Sequence, residues 1–465
     1  MISEATMQTT LKIYNPATGE VLKELREDSR EAIQQKFEQA KAAQKSWANV
    51  PLKKRIEVIA AFDKLLESNI SSLALTLTRE VGKPIKQSQN EINGAKRRIK
   101  FFLENSEKWL SDETVYAETG LTEKISFEPL GVLANISAWN YPYLVGTNVF
   151  IPALIAGNAV LYKPSEFSTL TGLEIGRLLH EAGVPKDVFQ VVVGAKDAGE
   201  ALLDLPLNGY YFTGSYKTGQ SIYERVAPKM VPCQLELGGK DPLYVSSDNK
   251  DVKAVATASA DGAFYNNGQS CCAVERIYVN EKIYDDFVKY FVDEVTSFKA
   301  GNPESEDIYI GAVTRKPQVD FLQKQVEDAV QKGAKVATGG KKVEGKGNHF
   351  EPTVLVDVNH SMSVMKDESF GPIIGIQKVK DDAEAIQLMQ DTEYGLTAAV
   401  YCDSKEAGEK ILKQIDSGTV YWNCCDRVSA NLPWSGRGHS GFGATLSYIG
   451  IRAFVKPKAY HLRGN

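Results

Sequence analysis

The chain has 465 residues, 43% hydrophobic and 24% charged, with 54 Lys and Arg against 59 Asp and Glu for a net charge of −5. That is the make-up of a globular protein of two or three packed units, and with no basic excess or polybasic run it excludes nucleic acid as a partner. The longest apolar stretch, Val145 to Tyr162, is broken by Thr147, Asn148, Pro152, Gly157 and Asn158, which excludes a clean helical membrane crossing.

The N-terminal MISEATMQTTLKIYNPATGE lacks the charged head and apolar core of a secretory signal, so a cytoplasmic protein is expected. Ile33, Phe37, Ala40 and Trp47 then share one helical face, and Pro51 opens a second helix carrying Ile56, Ile59, Phe62 and Leu66. Residues 112–130 show partial β alternation and belong to no helix series. From Gly131 short apolar runs end in polar or glycine-rich turns and pass into amphipathic stretches: VLANIS, NAVLYKPSE, FQVVVGAKDAG and YYFTGSYKTG. The helix after Lys163 carries Leu173, Ile175, Leu178 and Leu179 and stops at Gly183 before Pro185. Such alternation predicts parallel strands covered by helices, with ligands at the carboxyl ends of the strands. A second series follows Gly239: helices near 251–265, 281–298 and 317–332, and strands at ERIYV, TVLVDV, PIIGIQKV and TAAVYC. KKVEGKGNH at 341–349 reads as a surface loop or hairpin, and 450–465 is a second isolated β-like segment. Isolated strands need partners, either each other or another subunit.

Six cysteines, four of them in the adjacent pairs Cys271-Cys272 and Cys424-Cys425, suit reduced thiols rather than a disulfide framework. There is no CxxC or HxxxH and the five histidines are scattered, so no metal is expected. GRGHSG at 436–441 matches GxGxxG, but it follows no apolar strand and opens no helical period, so it is not a dinucleotide fingerprint. Better placed are Gly194 and Gly199 after FQVVV, and Gly214 and Gly219 after YYF, where Ser215 stands at a helix start able to cap it and to offer donors to a phosphate; two ordinary turns explain them equally well. Glu236 ends the alternation QLELGGK, either at a strand end facing a cleft or on the surface before a turn. Cys271 follows NNGQS, poor core material that suits a loop approaching a ligand; it is either a buried small hydrophobe or a nucleophile, with no histidine near it in sequence.

Taken in order, SAWNYP, YKPSE, FTGS, LELGGK, NNGQSC, ESFGP and LPWSGRGHSGFG resemble the NAD(P)-dependent aldehyde dehydrogenase superfamily, from about residue 12 to the C-terminus. The resemblance implies an α/β fold with a Rossmann-type coenzyme domain (1–111 and 131–238), an α/β catalytic domain (239–449) and a small β oligomerisation arm (112–130 and 450–465) of a homodimer or homotetramer. By motif, Cys271 matches the family nucleophile, Glu236 the general base, and Asn140 the amide donor to the oxyanion. Lys163 and Glu166 match contacts to the adenosine ribose, Ser215 a pyrophosphate contact, Glu368 and Phe370 the nicotinamide-ribose side, and Trp139 the crevice near the nicotinamide; Ser165, Gly199, Phe212, Gly214 and Leu237 complete the coenzyme set.

The implied reaction is oxidation of a small-molecule aldehyde to the acid through a Cys271 thiohemiacetal and thioester, hydrolysed with Glu236 as base. A carboxylate of ordinary pKa, about 4.3, is a feeble base, so Glu236 is expected in a partly apolar site that raises it. Glu166 suits a free ribose 2′-hydroxyl, favouring NAD while leaving NADP possible. Relatives resembling succinate-semialdehyde dehydrogenases carry arginines where this chain has Asn148 and Tyr265, so with Tyr141, Leu144 and Tyr265 around the tunnel a neutral aliphatic or aromatic aldehyde is expected. The alternatives are a CoA-acylating or succinate-semialdehyde-type dehydrogenase, a thiol esterase, and a non-enzymatic binding protein. LPWSGRG departs from the relatives' PFGGxK at Ser435 and Arg437, at the tunnel mouth.

Overall fold

The computed structural model describes residues 9–464; residues 1–8 of the expected coenzyme unit, which open the stretch read as lacking a secretory signal, and Asn465 of the arm lie outside them. The chain begins with an antiparallel pair, β1 (Thr10–Tyr14) and β2 (Val21–Arg26). Helix α1 (Arg30–Ala48) starts where Ser29 Oγ accepts the Ala32 N–H at 3.2 Å, and it buries Ile33, Phe37, Ala40 and Trp47, the expected stripe. Helix α2 (Leu52–Ser68) follows Pro51 and buries Ile59, Phe62 and Leu66. Two further helices were not anticipated: α3 (Ile70–Val81), closed by Gly82 at φ 80°, and α4 (Ile85–Leu110), opened by Pro84.

After β3 (Glu113–Glu118) and β4 (Leu121–Pro129) comes the first strand–helix series: β5 (Val132–Ile136), α5 (Pro142–Ile155), β6 (Ala159–Lys163), α6 (Thr169–Glu181), β7 (Phe189–Val191), α7 (Lys196–Asp204), β8 (Gly209–Thr213), α8 (Tyr216–Val226) and β9 (Cys233–Glu236). The third strand is shorter than the sequence run FQVVV. These five strands pair in parallel in the order β9-β8-β5-β6-β7, so the chain direction across the sheet reverses at β5, a switch point that leaves a crevice at the carboxyl edge. All five residues of β5 and of β6 are buried, as strands covered on both faces require.

The second series is β10 (Pro242–Val245), α9 (Val252–Phe264), β11 (Arg276–Asn280), α10 (Tyr284–Ser297), α11 (Lys316–Gln331), β12 (Lys335–Thr338), β13 (Thr353–Val356), β14 (Ile373–Val379), α12 (Asp382–Gln390), β15 (Thr397–Tyr401), α13 (Lys405–Leu412) and β16 (Thr419–Trp422). Its sheet runs β12-β13-β14-β11-β10-β15-β16, parallel except at β12. Alternation along its strands feeds two cores: Tyr244, Tyr278 and Val400 face Leu322 and Met365, while Leu243, Ile277 and Ala399 face Phe264 and Phe291.

The chain then returns: β17 (Gly441–Phe442) adds antiparallel to β9, and β18 (Val455–Arg463) pairs with β4 over nine residues, making the small sheet β18-β4-β3. The two isolated β segments thus pair with each other. Among the described residues no helix is long and apolar enough to cross a membrane.

Candidate active site

The NNGQSC segment is an unusual backbone. Asn266, Asn267 and Gly268 are all left-handed, at φ 54°, 56° and 68°. Asparagine tolerates this conformation and glycine adopts it freely. Side chains hold it in place: Asn267 Oδ1 accepts the Gly311 N–H at 2.7 Å and its Nδ2 donates to Ala312 O at 2.8 Å, while Gln269 Oε1 accepts the Thr314 N–H at 3.0 Å. A Cβ at Gly268 would stand 2.3 Å from Gly371 O, so no other residue fits. The polar loop read from the sequence is therefore a buried, locked turn, and it presents Cys271 half-buried at the wall of a cavity of about 730 Å³.

The same cavity gathers residues from three distant elements. Asn140, just beyond β5, donates Nδ2 to Gln269 O at 3.1 Å; its carbonyl accepts from Lys83 Nζ at 2.7 Å and from Asn266 Nδ2 at 3.2 Å. Glu236, the last residue of β9, is 7% exposed and lines the cavity, with Oε1 accepting from Thr445 Oγ1 at 2.6 Å and Gln234 Nε2 at 3.2 Å. Burial pushes Glu236 above the usual carboxylate range, against the opposing pull of Thr445 and Arg98, which is the direction the sequence reading required. Asn140, Glu236 and Cys271 are brought together, and Tyr141, Leu144 and Tyr265 line the cavity with them. A larger surface cleft, about 860 Å³ between α9 and α10, contains no cysteine.

The coenzyme candidates collect at the carboxyl ends of β5, β6, β8 and β9. Trp139 meets the Phe370 ring edge-on at 5.5 Å, and Phe370 itself is held by Glu275, which accepts the N–H groups of Ser369 and Phe370 at 2.9 Å each while paired with Lys240 at 2.6 Å. Lys163 is buried, and among the described residues its Nζ donates to Pro164 O alone, at 3.2 Å; burial lowers its pKa, opposed by the charges of Glu166 and Glu27. Ser165 Oγ donates to Glu166 Oε2 at 3.1 Å. Gly199 lies beside the Lys163 stem, where a Cβ would come 3.7 Å from Cε. Gly214 lies over Phe212, whose ring a Cβ would meet at 2.4 Å, and Gly219 does the same over Leu237 at 2.5 Å. Glu368 accepts the Gly239 N–H at 2.9 Å and is raised to about 7, chiefly by burial. One expectation is corrected: Ser215 stands at the N-cap position of α8, but Oγ donates to Thr218 Oγ1 at 3.0 Å instead of accepting a backbone N–H. The α8 amides are thereby left without that side-chain cap. A buried cation with no carboxylate ion pair among the described residues, a carboxylate beside it, and glycines packed against Lys163, the Phe212 ring and Leu237 make a donor set that fits a dinucleotide. GRGHSG lies instead along β9, with Ser440 Oγ donating to Gly238 O at 2.7 Å.

Sequence reasoning missed four residues of this region. Lys83 and Glu91 form a fully buried ion pair; Lys83 also lies 3.7 Å over the Tyr141 ring, and Glu91 accepts the Tyr143 N–H at 2.8 Å. Arg98 and Asp426 line the cavity. Cys272 donates its S–H to Asp426 Oδ1 at 3.0 Å, and its thiol is pushed well up by its contact with Cys271 and by burial. Arg98 and Glu91 were readable: both sit on the buried stripe of α4 with Ile92, Ala95 and Phe102, where charge is out of place. Asp426 has no such sequence signal.

The family model described as the aldehyde dehydrogenase family matches residues 2–460. The chain is 32% identical over 445 residues to a succinate-semialdehyde dehydrogenase [NADP(+)] of Deinococcus radiodurans, covering 96% of this chain and 93% of that one. It is 34% identical to a glutarate-semialdehyde dehydrogenase of Pseudomonas putida, covering 97% and 93%. A solved indole-3-acetaldehyde dehydrogenase complexed with NAD+ superposes with a TM-score of 0.94 at 31% identity, covering 98% and 93%.

Proposed function

Because the chain belongs to the aldehyde dehydrogenase family and oxidises aldehydes to carboxylic acids, we propose that Cys271 is its nucleophile, Asn140 its oxyanion donor and Glu236 its general base. The observation carrying this reading is the convergence of these three residues, from separate elements, on one cavity. A bound nicotinamide supplies the two-electron acceptor. Glu166 at the end of the β6 turn suits a coenzyme with a free 2′-hydroxyl, so NAD is the coenzyme and NADP remains acceptable; the relatives above include one named for NADP(+) and one solved with NAD+.

The chain's own residues do the rest. The Cys271 sulfur attacks the carbonyl carbon, and the oxygen that gains charge meets two donors: the Cys271 N–H, which has no backbone acceptor among the described residues, and the Asn140 Nδ2 hydrogen not given to Gln269. Oxidation of the adduct leaves a thioester on Cys271. Glu236 then takes a proton from water, whose oxygen attacks the thioester carbon and releases the acid and the Cys271 sulfur. A raised carboxyl pKa serves this step, because a stronger base is generated close to working pH.

Glu236→Gln is expected to give one burst of NADH per active site followed by a stall, read by stopped-flow absorbance. Steady acid release at the wild-type rate would remove Glu236 from the reaction. In the wild type, thioester hydrolysis should rise with pH through an inflection above the ordinary carboxylate range, and the Gln variant should lose that inflection. The linkage sign separates a stall from misfolding. A folded-state pKa that is raised gives stability fully present below the unfolded value and lost as pH rises through the folded one, so at neutral pH the Gln variant should melt no lower than the wild type.

The small sheet β18-β4-β3 supports a homodimer or homotetramer, because the outer edge of β18 offers a nine-residue strand for pairing. Light scattering that returns the mass of a single chain would remove this part. A cytoplasmic site of action belongs to the same proposal, on the resemblance of the chain to the named dehydrogenases.

A further inference from the structure

Among the described residues Arg98 is the one guanidinium buried in the wall of the catalytic cavity, 9% exposed on α4. Its Nη1 donates to Asn148 Oδ1 at 2.9 Å and to Leu144 O at 3.1 Å, two acceptors one turn apart on α5. Both Nη1 hydrogens are thereby used. Among the described residues the Nε and Nη2 donors have no acceptor and Arg98 has no ion pair within contact distance; burial lowers its pKa, opposed first by the charge of Glu236. That remaining edge is the side-on fork that matches the two oxygens of a carboxylate.

A buried cation without a counter-ion is costly, and isolated ones are rarely kept without a use. The acids around Arg98 do not supply that partner. Glu91 is committed to Lys83 and to the Tyr143 N–H. Glu236 directs Oε1 at Thr445 and Gln234 and makes no ion pair with Arg98, although the two charges attract across the cavity. Asp426 takes the Cys272 S–H, and burial and that thiol push it well above the carboxylate range. Two exposed cations, Arg97 and Arg427, line the same cavity and favour entry of an anion. Asn148, which in the sequence stood for a missing arginine, is in the fold the seat of one from another helix.

We propose that Arg98 determines substrate specificity, its Nε–Nη2 edge holding the carboxylate of a short aldehyde that carries an acid group at its far end. Asn148 is then a positioning residue that fixes the fork. The inference rests on attack at Cys271 and replaces the neutral aldehyde expected from positions 148 and 265 alone.

The test compares 4-oxobutanoate with its methyl ester and with butanal, all with NAD. The wild type should prefer 4-oxobutanoate over the ester, and Arg98→Met should lower that preference by on the order of 100-fold, mainly through KM. Arg98→Lys keeps the charge but not the fork and should lose most of the preference. Asn148→Ala should move it in the same direction, and these two variants carry the test if Arg98→Met does not fold. A wild-type preference for the ester overturns the proposal. So does an equal loss on acid and ester in Arg98→Met, accompanied by a shifted pH profile for iodoacetamide labelling of Cys271, because Arg98 would then serve the thiol. A wild type that oxidises none of the three also overturns the proposal, whereas the underlying reading of the site fails on a distinct result, an aldehyde oxidised equally well by Cys271→Ala.

Discussion

Replacing Cys271 with alanine is expected to lower NADH formation from saturating aldehyde by at least about 10⁴-fold, the scale on which removing a covalent nucleophile acts. The neighbouring sulfur does not rescue the variant. Cys272 is buried, its S–H is given to Asp426 and its thiol is pushed well up, so it supplies almost no thiolate. Folding should survive, because the turn that presents Cys271 is held by Asn266, Asn267 and Gln269 and not by the sulfur. Stopped-flow absorbance with a parallel melting curve checks both statements. Activity within tenfold of wild type in the folded variant would move the chemistry to another residue.

The second large effect is at Asn140. Truncation to alanine is expected to lower kcat by about 10²- to 10³-fold, the usual loss for one oxyanion donor, with a much smaller change in KM. The Asn140 carbonyl is fixed from outside by Lys83 and Asn266, so the main chain should keep its place when the side chain is cut back. What goes is the amide and its free hydrogen. Steady-state kinetics across a range of aldehyde concentrations reads the split: a change confined to KM would mean that Asn140 only holds the ground state.

How far the sequence carried depends on how local the signal is. The cysteine turn, the strand-end glutamate and the Trp139–Asn140 turn each sit in a short run whose residue types answer to the backbone there: left-handed asparagines and glycine before Cys271, and glycines after Glu236 where a Cβ at Gly239 would stand 2.6 Å from Cys271 O. The buried strands were legible because both faces are covered and every position is apolar. Helix α4 was missed because its polar face is crowded with Lys, Asn, Gln and Glu, which blurs the apolar stripe, and because two of the stripe positions are themselves charged. The β1–β2 pair escaped because exposed, charge-paired residues such as Lys12 and Glu24 give no hydrophobic alternation. Contacts that join distant elements, such as Arg98 on Asn148 and Cys272 on Asp426, exist only once the fold is formed; the charged stripe of α4 was their single trace.

In the proposed reaction the aldehyde's carbon becomes an acyl group on one sulfur. Glu236→Gln mixed with aldehyde and NAD, quenched in acid after the burst and digested, should yield the peptide holding Cys271 and Cys272 heavier by one acyl group, with fragmentation assigning it to Cys271. An unmodified peptide after a full burst, or the acyl group found on Cys272, would contradict the account.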